Sequence, residues 1–262
     1  MNSNSLYQHF EKSEYPFIDK IQGMVNQVND YYTFCLTDFL NPREVEIVKI
    51  ICRSYGVQLF ITSDYFDMEY SRVIIAPNYY QLNFEDFKIS LLELTYSVKF
   101  KQLSHRQILG TLINQLGIKR SMIGDILVSE GKSQFMIDQL FLENVLFSIK
   151  KISNIGVKIR EVSFSNLMKV SKEYEEIAIL SSSMRIDKIV SVVLNIPRIE
   201  VVKLIESNHI KLNYKVVSKV SEELQEGMLL SIKGFGRYKM IKDSGLTKKE
   251  KHKIIFAKVK HF

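Results

Sequence analysis

The stretch that decides the fold is Met184-Arg185-Ile186-Asp187-Lys188-Ile189-Val190, continued by Arg198-Ile199-Glu200-Val201-Val202-Lys203-Leu204-Ile205 and by His209-Ile210-Lys211-Leu212-Asn213. Apolar residues recur at helical spacing in the first two segments and alternate in the third. Ser183 is a cap candidate for a helix running to about Leu194, with Asp187 near its positive end. Ile186, Ile189, Val190 and Val193 form its buried stripe, leaving Arg185 and Lys188 on the open side. Pro197 breaks the chain, and a second helix over 198–207 is expected to bury Ile199, Val202 and Ile205 while Arg198 and Lys203 stay outside. Asn208 stands where a left-handed residue ends a helix, a conformation Asn tolerates. Ile210 and Leu212 then alternate with Lys211 and Asn213, so a strand leaves the helix pair with a lysine facing out. The expected unit is two helices packed on a short β-sheet.

Charge singles out the same region. The chain of 262 residues carries 36 Lys+Arg against 29 Asp+Glu; from Ser181 onward there are 17 basic and 8 acidic residues, against 19 and 21 before it. A positive field confined to one segment fits a phosphate polymer as partner. With 46% apolar residues and only 11 Gly and 4 Pro, the chain can bury a sizeable core and is neither fibrous nor disordered. No apolar run approaches the roughly 18 residues that cross a bilayer. Met1-Asn2-Ser3-Asn4-Ser5 shows no signal pattern, and Cys35 and Cys52 lack metal-ligand or redox spacing. The expectation is a cytoplasmic protein with no membrane association.

Residues 1–180 read as an α+β region with a mainly antiparallel sheet: a helical start to about 36, an α+β part at 37–164 and a linker at 165–180. Tyr15-Pro16 opens a helix with Ile18, Ile21, Val25 and Val28 on one face. Asn41-Pro42-Arg43-Glu44 and Ser104-His105-Arg106-Gln107 are capping boxes, closed by Gly56 and Gly117 respectively. Strands are expected at 57–62, 72–76, 88–96, 124–128, 134–137 and 157–164, joined by links mostly too short for helical crossovers. The tail domain is placed at 181–262.

Arg185-Ile186-Asp187-Lys188, the helix opened by Arg198, His209-Ile210-Lys211-Leu212-Asn213 and Glu226-Gly227-Met228-Leu229-Leu230-Ser231-Ile232 together resemble the RNA-binding domain named after ribosomal protein S-four. With Thr37-Asp38-Phe39-Leu40-Asn41-Pro42-Arg43-Glu44, Ile123-Gly124-Asp125-Ile126-Leu127-Val128 and Gly234-Phe235-Gly236-Arg237, nearly the whole chain resembles the YlmH family. That resemblance implies a bacterial RNA-binding protein on the large ribosomal subunit, with its rRNA and tRNA as partners and the α+β part at 37–164 as an RNA-binding part that supplies a second contact to RNA or protein. It further implies a place in ribosome-associated quality control beside other translation factors, and a link to cell division. Two positions depart from the pattern: Asn208 replaces a Gly after the second helix, and Asn213-Tyr214 replaces an Asn-Gly hairpin turn.

Arg185, Lys188, Arg198 and Lys203 are the expected RNA contacts, with Lys211, Lys215, Lys233 and Arg237 as further candidates. Asp187 is expected to orient Arg185 or Lys188, and charge reversal at Arg185 and Arg198 to leave the fold intact. No catalytic residue, metal site or cofactor is expected: the histidines are scattered, and Gly234-Phe235-Gly236 lacks a third glycine. The competing classes are a cell-division adaptor and an rRNA-modifying enzyme. Arg185-Ile186-Asp187 is superficially similar to the Arg-Leu-Asp of pseudouridine synthases, whose Asp is a nucleophile.

Overall fold

Local signals set the first helices. Pro16 sits in the first turn of α1 (Tyr15–Tyr31), where its missing N–H costs nothing. Ile18, Ile21, Val25 and Val28 are fully buried, each contributing about 2 kcal/mol. In α2 (Pro42–Tyr55), Asn41 Oδ1 accepts from the amides of Arg43 and Glu44, and Glu44 Oε2 accepts from Asn41 N at 2.8 Å. Leu40 and Val45 are buried in one cluster, and Gly56 ends the helix at φ 68°. The computed structural model describes residues 7–8, 10–98, 102–169 and 174–259.

Both helices share a core with a three-stranded antiparallel sheet, β1 (Cys35–Leu36), β2 (Gln58–Ile61) and β3 (Val73–Ala76), in the order β1-β3-β2. Cys35 and Cys52 are free thiols within that core; burial pushes Cys52 up to about 12.

A second antiparallel sheet follows: β4 (Ile89–Tyr96), β5 (Ile123–Ser129), β6 (Lys132–Asp138), β7 (Lys151–Ile152) and β8 (Ile155–Val162), ordered β5-β6-β4-β8-β7. The helices α3 (His105–Leu116) and α4 (Leu142–Ser148) share a core with one face, where Leu92, Leu94, Phe135 and Ile137 meet Ile108, Leu112 and Val145. Asp138 caps a 3-10 turn (Gln139–Phe141) ahead of α4 rather than α4 itself.

The two sheets meet where the Thr37 and Ile123 motifs converge. A Cβ added at Gly124 would lie 2.7 Å from the Phe39 ring, so glycine there lets the ring seat. Asp125 accepts the amides of Glu69 and Tyr70 at 2.7 and 2.8 Å. Arg72, 5% exposed, pairs with Asp138 at 3.0 Å and donates to the carbonyls of Thr37 and Lys88. Burial lowers its pKa even though Asp138 works against that shift.

A separate compact unit begins between 169 and 174. Its sheet is ordered β11-β10-β12-β13-β14-β9 and comprises β9 (Tyr174–Ser181), β10 (Ile210–Leu212), β11 (Lys215–Val216), β12 (Leu229–Ile232), β13 (Gly236–Leu246) and β14 (His252–Val259). The expected linker at 165–180 is corrected here. Tyr174 to Ser181 pairs residue for residue with β14, so the last seven residues of that segment, Tyr174 to Leu180, are sheet of the second unit.

Two helices, α5 (Ile186–Leu194) and α6 (Arg198–Glu206), bury against this sheet. Ile186, Ile189 and Val190 are buried with Val193 packed beside them, as the spacing predicts. The buried face of α6 differs from expectation: Val201 and Ile205 point inward, while Ile199 is 68% exposed. Ser183 does not cap α5; Arg185 occupies the cap position, and its amide donates to Ser183 Oγ at 3.1 Å. The whole is α+β, and no helix among the described residues is long and apolar enough to cross a membrane.

Candidate nucleic-acid interface

Asp187 organises the cationic end of α5. It sits in the first turn and is 1% exposed. Its Oδ1 accepts from Arg185 Nε at 3.2 Å and from the Lys188 amide at 3.0 Å. Its Oδ2 accepts from Arg185 Nη2 at 3.3 Å and from Arg198 Nη2. Burial opposes ionisation, but the bonds from Arg185 and Arg198 outweigh it and hold the carboxyl below its ordinary value. Asp187 thus orients Arg185, as expected, and Arg198 in place of Lys188.

Two guanidiniums against one carboxylate leave a surplus positive charge at a fixed place. Each guanidinium has five N–H donors, of which Arg185 spends two and Arg198 one on Asp187. Their side chains remain 37% and 55% exposed, so the free forks face solvent. The arginines are therefore anchored and outward at once, a pre-organised arrangement for bidentate phosphate contact.

Lys188 donates from Nζ to Ser182 Oγ at 3.2 Å. It and Arg198 line a cleft of about 240 Å³ together with Ser181, Ser182, Ser191 and Lys251. Lys251 carries no signal in the sequence pattern; the β13–β14 hairpin brings it in from far along the chain.

The remaining candidates do not all join this group. Lys203 is exposed in the last turn of α6. Lys211 and Arg237 alternate with the core residues Ile210, Leu212 and Tyr238, so they lie on the sheet face turned away from the helices. Lys215 pairs with Leu212 on the edge strand, and Lys233 is exposed in the β12–β13 turn.

The replaced hairpin turn keeps its geometry. Asn213 and Tyr214 have φ of 47° and 69°, the left-handed pair that a two-residue turn of this kind requires. Asn213 Oδ1 accepts the Leu229 amide at 2.8 Å, and the Tyr214 hydroxyl accepts from Arg237 Nη2 at 2.9 Å. Asn208 likewise takes φ 57°. No cluster of metal-binding side chains exists among the described residues.

Comparison with known families matches three segments: "YlmH, N-terminal" at 13–80, "Putative RNA-binding domain in YlmH" at 83–166, and "S4 domain" at 184–230. A Bacillus subtilis protein named "Ribosome-associated protein quality control protein P2" is 32% identical over 257 residues, covering 98% of this chain and 100% of its own. A solved structure named "Cell division protein ylmH from Streptococcus pneumoniae" is 43% identical, covers 62% of this chain and 99% of that one, and superposes with a TM-score of 0.56.

Proposed function

This chain belongs to the YlmH family, and from that premise we propose that it is a non-enzymatic RNA-binding factor that holds ribosomal RNA of the large subunit and tRNA in place during quality control of stalled translation. The observation that carries this reading is the pair of arginines anchored by Asp187, one of which, Arg198, lines a cleft with Lys188 and Lys251. Anchored, outward cations suit the backbone and shape of structured RNA, whose deep major groove side chains cannot read. The name of the Bacillus subtilis relative supports the ribosomal setting.

Asp187 supports the non-enzymatic part. A nucleophilic carboxylate must reach its substrate, whereas this one is buried beneath two guanidiniums. We place the protein in the cytoplasm, with other translation quality-control factors as partners. The cell-division name of the Streptococcus pneumoniae relative favours a second reading, an adaptor for division whose main partner is protein.

Crosslinking in cells followed by sequencing of the attached RNA separates the two. Enrichment of large-subunit rRNA and tRNA, lost when Lys188 and Lys203 are both changed to Glu, is the expected result. A random transcript spectrum, or none, would remove the RNA reading and leave the adaptor.

A further inference from the structure

The five-stranded sheet has a second face, away from α3 and α4. Pairing sets Glu93 opposite both Gln134 and Arg160, and Thr95 opposite both Lys132 and Lys158. Lys151 stands opposite Gly156, two residues before Lys158 on the same strand. Opposed residues project to one side, as do residues two apart, so Lys132, Lys151, Lys158 and Arg160 share this face. The end near Leu91, Met136 and Val162 is covered by Phe39, Met68 and Phe164. The end near Thr95 is open: Thr95, Lys151, Lys158 and Arg160 are exposed.

Glu93 lies among these cations at 3% exposure. Its Oε1 accepts from Arg160 Nη2 at 2.7 Å and Nε at 3.2 Å; its Oε2 takes Lys132 Nζ at 2.7 Å and Gln134 Nε2 at 3.2 Å. Arg160 and Lys132 nevertheless stay 73% and 44% exposed. Lys151 and Lys158 make no ion pair among the described residues. Four cations against one carboxylate leave three positive charges on an open sheet face. A merely solvated lysine face needs no buried carboxylate, which costs desolvation free energy that an apolar residue would not. Glu93 immobilises two of the four cations, which lowers the entropy lost when a ligand binds them.

Resting on the RNA reading above, and on the description of the family segment matched at 83–166 as RNA-binding, we propose that this face is where that segment meets RNA, gripping the phosphate backbone of a structured duplex through Lys132, Lys151, Lys158 and Arg160. The open end carries no aromatic ring among its described residues, so unpaired bases have nothing to stack on. Backbone contact with a duplex needs none.

The test uses the full chain and a labelled RNA hairpin, titrated over a salt series. Lys151→Ala with Lys158→Ala leaves the Glu93 bonds intact. Affinity is expected to fall about tenfold, and the slope of log affinity against log salt to shrink by about two. Lys151→Arg with Lys158→Arg is expected to retain both values. A Lys188→Ala, Lys251→Ala variant, changed at the cleft beside Arg198, reports on the tail separately. If it weakens binding while the sheet variant leaves affinity and slope unchanged, this second surface is overturned and the tail reading stands. If neither variant has any effect, both fall, and a sheet variant that loses only protein partners also overturns the assignment.

Discussion

Arg185 and Arg198 read as exposed surface charge in the sequence, yet they are the partners that keep Asp187 ionised in the interior. Reversing both would leave a buried carboxylate facing two more, so a loss of stability is now expected in place of an intact fold. The double change to Glu is expected to destabilise the second unit by about 3 kcal/mol, read from urea unfolding; an unchanged midpoint would show that solvent already screens the pair. Glu93 makes a pH-dependent counterpart. Bonds from Lys132, then Arg160, take it from an ordinary 4.5 down to about 2. A depressed carboxyl contributes stability that is present above its unfolded value and lost as pH falls through the folded one. Acid is therefore expected to remove on the order of 2 kcal/mol between roughly pH 5 and pH 2, a loss that Glu93→Gln abolishes. Equal acid sensitivity of wild type and variant would count against that coupling.

Among elements, those written in neighbouring residues were legible. The caps at Asn41 and Ser104, the α1 stripe and the α5 stripe all depend on positions three or four apart, and all form as read. What escaped the sequence depends on distant partners. β9 is a strand because β14, more than seventy residues later, supplies its hydrogen bonds. The inward face of α6 is set by where α5 and the sheet lie, which moves burial from Ile199 to Val201. The Asp187 group was half legible: Arg185 is a neighbour, whereas nothing in the spacing says that Arg198 reaches back across a helix break. The Asn213-Tyr214 turn survives the loss of its glycine because Asn213 both accepts left-handed φ and bonds the Leu229 amide. Asn213→Ala removes both advantages and is expected to cost about 1–2 kcal/mol, seen as a lowered thermal midpoint of the second unit; an unaltered midpoint would mean that the β10–β11 pairing holds the turn alone.

Over the whole molecule, stability and RNA affinity rest on different physics, which makes them separable. Each unit encloses its own apolar cluster, one around Phe256 and Met240, the others around Val28, Phe135 and Phe39. Burial of this kind is insensitive to moderate salt, whereas phosphate contacts displace counterions and weaken steeply as salt rises. Raising salt is therefore expected to reduce RNA binding by orders of magnitude while calorimetric transitions stay nearly in place. Gly124→Ala supplies the converse. Its new Cβ would meet the Phe39 ring and the Met136 Cβ, an overpacking expected to cost about 1–3 kcal/mol. That loss belongs to the first unit, so calorimetry of the full chain is expected to show one transition lowered and the other unmoved. A single transition displaced as a whole would mean that the two cores melt together, and the separation of fold from binding would then have to be sought within one cooperative body.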